Sequence, residues 1–222
     1  MVVVSTPLPF PRGPVVLIGP LAVGKSTVSV ALASLIGSPM CSVDEIRWQY
    51  FDEIGYDRAE ATRRYAAGQT PAEKLAYGMP FEVYAIEQIM VRESFGVIDF
   101  GASNSVYEDP VLLARVRAAL SEAYVVMLLP SEDPAESEQI LAARLRAILH
   151  AKGEVVSDEL LVLNAFFIRH SSSRRLAQEI VYTSGRGPSA IAAEIAQSYE
   201  ALQARKDPLE CLNRPGTEAI DD

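Results

Sequence analysis

Cysteine is nearly absent from this chain. Cys41 sits in an apolar run and Cys211 close to the C-terminus, too few and too far apart for a disulfide framework or a thiolate metal cluster. A reducing, cytoplasmic setting is therefore expected. No stretch of 18 uncharged apolar residues exists, so no helix is expected to span a membrane. The opening Met1-Val-Val-Val-Ser-Thr-Pro-Leu-Pro-Phe10 is apolar but has no basic start, and Pro7, Pro9, Pro11 and Pro14 forbid the helical core of a signal peptide. An extended, proline-rich arm over residues 1–13 is the expected form. Positive charge is also scarce, with 20 Lys+Arg against 29 Asp+Glu and a formal net charge of -9. That balance argues against a protein that wraps nucleic acid or lies on anionic lipid. If a phosphate is bound, a local site must do it.

Apolar residues are plentiful. At 222 residues and 49% hydrophobic, the chain can bury one sizeable core, which excludes wholesale disorder. Val15-Val-Leu-Ile18 reads as a buried strand ending at Gly19, and helical spacing follows through Val28, Ala31, Leu32 and Leu35 to Gly37. Met40–Val43 is a second short strand with helical material after it to Phe51. Thr70-Pro-Ala-Glu73 is a capping box with proline at the first helical position, and it opens a helix reaching about Ser94 with a kink or break near Met79, since Gly78 and Pro80 interrupt it. Gly96–Phe100 and Tyr124–Leu129 read as strands, with a helix between them from the Asp109-Pro110 cap to Leu120. Further helices are expected over Pro134–His150, Ser157–Ile168 and Pro188–Ala204, with a short strand at Ile180–Thr183. Residues 205–222, with two prolines, Gly216 and a terminal Asp221-Asp222, read as a loose tail. Short buried strands alternating with helices predict an α/β fold: a parallel sheet with helices on both faces, ligands lying beyond the carboxyl ends of the strands.

Gly19-Pro-Leu-Ala-Val-Gly24-Lys25-Ser26-Thr27 fits G-x-x-x-x-G-K-[ST] at every fixed position, between the expected strand and helix. Glycines let backbone N–H groups turn onto phosphates, and the helix N-terminus adds partial positive charge. Gly19, Val23, Gly24, Lys25, Ser26 and Thr27 are accordingly assigned to nucleotide binding. Lys25 reaches toward the β and γ phosphates, and the Ser26 hydroxyl is a Mg²⁺ ligand. The motif also reconciles an acidic chain with a polyanionic ligand, because backbone dipoles and one lysine suffice. No N-K-x-D guanine signature is present, which argues against a GTPase.

Beyond this loop, the order of segments from Val15 to about Tyr199 resembles the shikimate kinase family of P-loop small-molecule kinases. Ser42-Val-Asp44 lies where that family has a D-x-D motif, Gly101-Ala-Ser-Asn-Ser-Val106 where it has a glycine-rich acceptor loop, and Arg144 and Arg146 in the region of its lid. Arg169-His-Ser, Leu176-Ala and Val181-Tyr-Thr183 are similar in placement to its Arg-N-P, a later helix turn and the strand before the adenine-contacting loop. The resemblance implies a three-layer P-loop NTPase fold over 14–204, with a helical acceptor-binding insert over about 44–94 and a lid over about 144–157. It implies an ATP- and Mg²⁺-dependent transfer of a phosphoryl group to a hydroxyl of a small molecule, by a monomer or homodimer. Departures are equally plain. Ser42 replaces the first acid of D-x-D, the three-glycine loop is reduced to Gly101-Ala-Ser, and Glu82 and Val83 stand near where the family places an acceptor-binding arginine. An acid there repels a carboxylate acceptor.

The candidate residues follow. Asp44, at a strand end, orients or deprotonates the acceptor hydroxyl; the bland alternative is a helix cap. Asp99 resembles a Walker B acid on the metal side. Gly101, Ser103 and Asn104 contact a hydroxylated acceptor or merely form a turn. Arg144 and Arg146 point apart at i, i+2, so one closes on the phosphates and the other faces solvent. Arg169 is an acceptor or phosphate contact. Trp48, Tyr50 and Phe51 wall the acceptor pocket or pack the core. Two rival readings stand beside the metabolite kinase: a phosphotransferase acting on an antibiotic or nucleoside-type molecule, and a non-catalytic ATP-binding regulator.

Overall fold

A computed structural model describes residues 13–206 of the chain. Five parallel strands form its sheet: β1 (Val15–Ile18), β2 (Met40–Ser42), β3 (Val97–Asp99), β4 (Tyr124–Leu129) and β5 (Glu179–Tyr182), in the order β2-β3-β1-β4-β5. Every residue of β1, β3 and β4 is buried, as continuous apolar runs require when helices cover both faces of a parallel sheet. Register places Asp99 beside Leu17 on one side and Ser42 on the other. The carboxyl ends of the three strands that carry the key motifs are thereby brought level.

Helix α1 (Lys25–Ile36) follows β1 and packs along α10 (Pro188–Lys206). Between β2 and β3 lies the helical insert: α2 (Val43–Glu53), α3 (Arg58–Ala67), α4 (Pro71–Ala76) and α5 (Met79–Arg92). A 3-10 turn, Ala102–Ser105, and α6 (Pro110–Ala119) lead to β4; α7 (Pro134–Ala151), α8 (Asp158–Arg169) and α9 (Ser171–Leu176) lead to β5. This is a three-layer P-loop NTPase architecture.

The capping box at Thr70 is formed. Its hydroxyl accepts the Glu73 N–H and the Glu73 carboxylate accepts the Thr70 N–H, both at 3.2 Å. The expected long helix breaks where the sequence marks it: Pro80 takes an initial position of α5, where its missing N–H is no loss, so two helices meet at Tyr77-Gly78. Helix α3 is an element that periodicity does not announce, because none of its residues is buried. It is nucleated by Asp57, whose carboxylate accepts the N–H groups of Ala59 and Glu60 at 2.8 and 3.1 Å. The arm before Gly13 and the tail beyond Lys206 lie outside the described residues.

Candidate active site

The phosphate loop is shaped by its glycines. A Cβ on Gly19 would stand 2.5 Å from the Leu128 carbonyl oxygen, so only glycine lets the end of β1 lie this close to β4. Gly24 has φ +105° and caps α1 in a left-handed conformation. Ala22, with φ +61°, is the only non-glycine residue with positive φ among the described residues. No side chain caps the N-terminus of α1 and no acid lies in its first turn, so its amides and dipole remain available to an anion.

Lys25 folds back over this loop, its ammonium donating to the carbonyls of Gly19 and Pro20 at 2.9 Å each. Burial lowers its pKa to about 8, against the opposing pull of Asp99 and Asp44. The ammonium thus lies within electrostatic reach of both carboxylates. Ser26 donates to Asp99 Oδ2 at 2.6 Å, while the other oxygen of Asp99 is buried with no partner. Asp99 is 4% exposed and burial pushes its carboxyl up. An orphaned carboxylate oxygen next to a serine hydroxyl at the foot of a phosphate loop is a hard-oxygen donor set that fits Mg²⁺.

Asp44 opens α2 from the end of β2 and its side chain remains 53% exposed. The N-cap residue of α2 is Ser42, so Asp44 lies within the first turn of the helix and is not its cap. Its carboxylate lies directly against Gly101: a Cβ at that position would meet Asp44 Oδ1 at 2.5 Å and Oδ2 at 2.9 Å. Arg47, one turn along α2, approaches Asp44 Oδ1 at 3.1 Å and Glu82 Oε1 at 2.5 Å. Glu82, on α5, is 5% exposed and accepts a second hydrogen bond from Asn104 Nδ2 at 2.6 Å. Burial pushes its carboxyl up to about 7, with Arg47 and Asn104 pulling the other way. Asn104 Oδ1 in turn accepts the Gly101 N–H at 2.7 Å.

Asn104 is therefore not placed to meet an acceptor: it is fully buried, and its amide braces the turn against Glu82. Ser103 stays half-buried in the same turn, and Gly101 is the point where the turn touches Asp44. Of the aromatic residues, Tyr50 and Phe51 are core, each 2% exposed; Trp48 packs edge-on against Phe51 and Tyr56.

On the other flank, Arg144 donates to the Val23 carbonyl at 3.3 Å, while Arg146 is exposed. Residues 144–151 of the expected lid are regular helix. The Arg169 guanidinium is exposed and paired with Glu138 on α7, so its charge is engaged away from the Asp44 and Gly101 group. Asn164 was missed by sequence reasoning: it is 3% exposed, accepts the Leu21 N–H at 2.8 Å and donates to the Leu21 carbonyl at 3.3 Å. Arg47 was missed too, although its spacing of three from Asp44 on a helix is the signal that finds it. A lone amide within Leu160–Ile168 is the corresponding signal for Asn164.

Compared with solved structures, the chain superposes on a gluconokinase from Sinorhizobium meliloti 1021 with TM-score 0.55 and 19% identity, covering 87% of this chain and 97% of that one. A shikimate kinase from Bacteroides thetaiotaomicron gives 0.54 and 20%, covering 87% and 99%. One from Acinetobacter baumannii, in complex with shikimate, gives 0.52 and 18%, covering 86% and 94%. The chain has the shikimate-kinase fold. No family model matches the sequence, and no curated protein is detectably similar to it. Within the shikimate-kinase fold, the group formed by Lys25, Ser26, Asp99, Asp44 and Gly101 occupies the carboxyl end of the sheet, where ligands of such sheets bind.

Proposed function

We propose that the protein is an ATP-dependent kinase that phosphorylates a hydroxyl group of a small, uncharged molecule. The observation that carries this reading is the seating of the Asp44 carboxylate against Gly101, within electrostatic reach of the Lys25 ammonium that folds over the phosphate loop. In the reaction, an acceptor oxygen bonds to the γ-phosphorus, the bond from that phosphorus to the β,γ-bridging oxygen breaks, and ADP departs with the electron pair. Asp44 orients the hydroxyl and takes its proton. Lys25 and the amides of the loop and α1 offset charge on the transferring group, and Arg144 holds the loop from the flank. Ser26 and Asp99 are the residues that would hold Mg²⁺, which supplies charge neutralisation on the phosphate oxygens. Gly101 and Ser103 border the acceptor.

The acceptor is read as uncharged because Arg47, the guanidinium beside Asp44, is already shared by two carboxylates. A carboxylate ligand would find this guanidinium already taken and would meet Glu82 behind it.

The test is ATP consumption over a panel of hydroxylated metabolites and antibiotics, with mass spectrometry of the product. Asp44→Asn is expected to lower turnover at least about a hundredfold while ATP affinity stays within about twofold. ATP binding without a phosphorylated product from any acceptor would make the protein an ATP-binding regulator. Shikimate phosphorylation at a rate equal to that of the best neutral acceptor would overturn the uncharged-acceptor reading.

A further inference from the structure

Helix α8 presents a stripe of apolar side chains to the rest of the molecule, and Asn164 interrupts it. A buried primary amide is unfavourable unless its donors and acceptor are used. Here both ends are spent on one residue, the N–H and the carbonyl of Leu21, more than 140 positions away in the chain. Leu21 is the second residue of the variable part of the phosphate loop, and Ala22, in the left-handed region, follows it. Its side chain belongs to a small apolar cluster with Phe167 and Leu163 of α8, Ala102 and Val106 of the acceptor turn, and Leu75 of α4.

We infer that Asn164 is a positioning residue that selects which phosphate-loop amides face the phosphates. The inference rests on the nucleotide-binding reading of the loop. A trans peptide points its carbonyl and the following N–H in opposite directions. With the Leu21 carbonyl held toward Asn164, the Ala22 N–H is turned away from α8. The Leu21 N–H, consumed by Asn164 Oδ1, is withdrawn from the set that can meet an anion. The same clamp holds the loop in the conformation that Ala22 would otherwise leave, since a left-handed alanine is disfavoured. A leucine at 164 would satisfy the apolar stripe equally well, so packing alone does not account for the amide. Helix α8 is itself fixed to the insert, where Glu159 pairs with Lys74 of α4 at 3.1 Å.

The experiment compares wild type, Asn164→Leu, Asn164→Thr and Asn164→Asp by hydrogen exchange of the ligand-free protein and by titration with ATP and with tripolyphosphate. In Asn164→Leu the Leu21 amide is expected to lose protection, and ATP and tripolyphosphate to bind about tenfold more weakly or worse, by the same factor. Asn164→Asp keeps the acceptor and the shape but not the amide donor, so Leu21 protection persists; its carboxylate also repels polyphosphate, so only its exchange is read. Asn164→Thr, neutral and too short to hold both groups of Leu21, is expected to lose Leu21 protection and to bind tripolyphosphate more weakly, and it decides the matter if the leucine variant does not fold. Unchanged Leu21 exchange, or unchanged tripolyphosphate affinity, in the neutral variants that fold overturns the inference. Wild type that binds no ATP would count against the kinase reading, whereas the exchange result on ligand-free protein judges the clamp by itself.

Discussion

Lys25 carries a charge that its surroundings only partly support. With its pKa lowered to about 8 by burial, the ammonium is largely protonated at pH 7 and largely neutral above pH 9. On the proposed reading ATP is bound by the protonated form, so affinity is expected to fall as pH rises through 8, by up to about tenfold per unit, and binding above pH 8 takes up a proton. Titration calorimetry from pH 7 to 9.5 in buffers of different ionisation enthalpy checks this. A Lys25→Met variant is expected to bind weakly and to show no such slope. The charges opposite differ in kind. Asp44 is open to solvent, whereas Glu82 is enclosed with Arg47 and Asn104, so one carboxylate is free to act on a ligand and the other serves to hold neighbouring groups in place. Sequence pattern alone could locate the first, because strand ends announce themselves. Of the second it showed only an acid near where the resembling family has an arginine; that Glu82 braces Arg47 and Asn104 is legible only once α2 and the turn after β3 are packed against it.

At the scale of elements, local signals and structure agree where a segment carries its own instructions. The capping box at Thr70, the aspartates before Pro110 and Pro134, and the break at Gly78-Met79-Pro80 all fall where their residues require. Thr70→Ala is expected to cost about 1 kcal/mol, measured as a shift in the denaturant midpoint, since it removes the acceptor for the Glu73 N–H. Helix α3 was illegible for the converse reason. A helix with no buried face has no apolar period to read, and its one strong mark, the cap at Asp57, resembles many loop aspartates. The short α9 is similarly hidden, because it starts from His170, whose ring nitrogen accepts the Ser172 N–H at 3.2 Å. Contacts between elements distant in sequence, such as α8 with the phosphate loop, are beyond any local pattern. A lone asparagine in an apolar stripe says only that some partner must exist.

For the molecule as a whole, the proposed nucleotide site joins parts that otherwise meet through the sheet. Occupation of such a site stabilises only the folded state. ADP at about a hundred times its dissociation constant is expected to contribute about 2.7 kcal/mol, and so to raise the melting temperature by roughly 5–10 °C for a chain of this size. A thermal melt with and without ADP measures it, and Lys25→Met at the same ADP concentration should show a clearly smaller rise. The sheet order has a further effect, on the newborn chain. β1 is central and is made first, yet the residues that pair with Val15 are Val97 and Tyr124, both far along the sequence. An apolar strand therefore leaves the ribosome well before either of its neighbours exists, and pairing of such separated strands is slow. The proposed phosphate loop, which leaves β1, therefore precedes in sequence both strands that hold its base and waits on them for its shape.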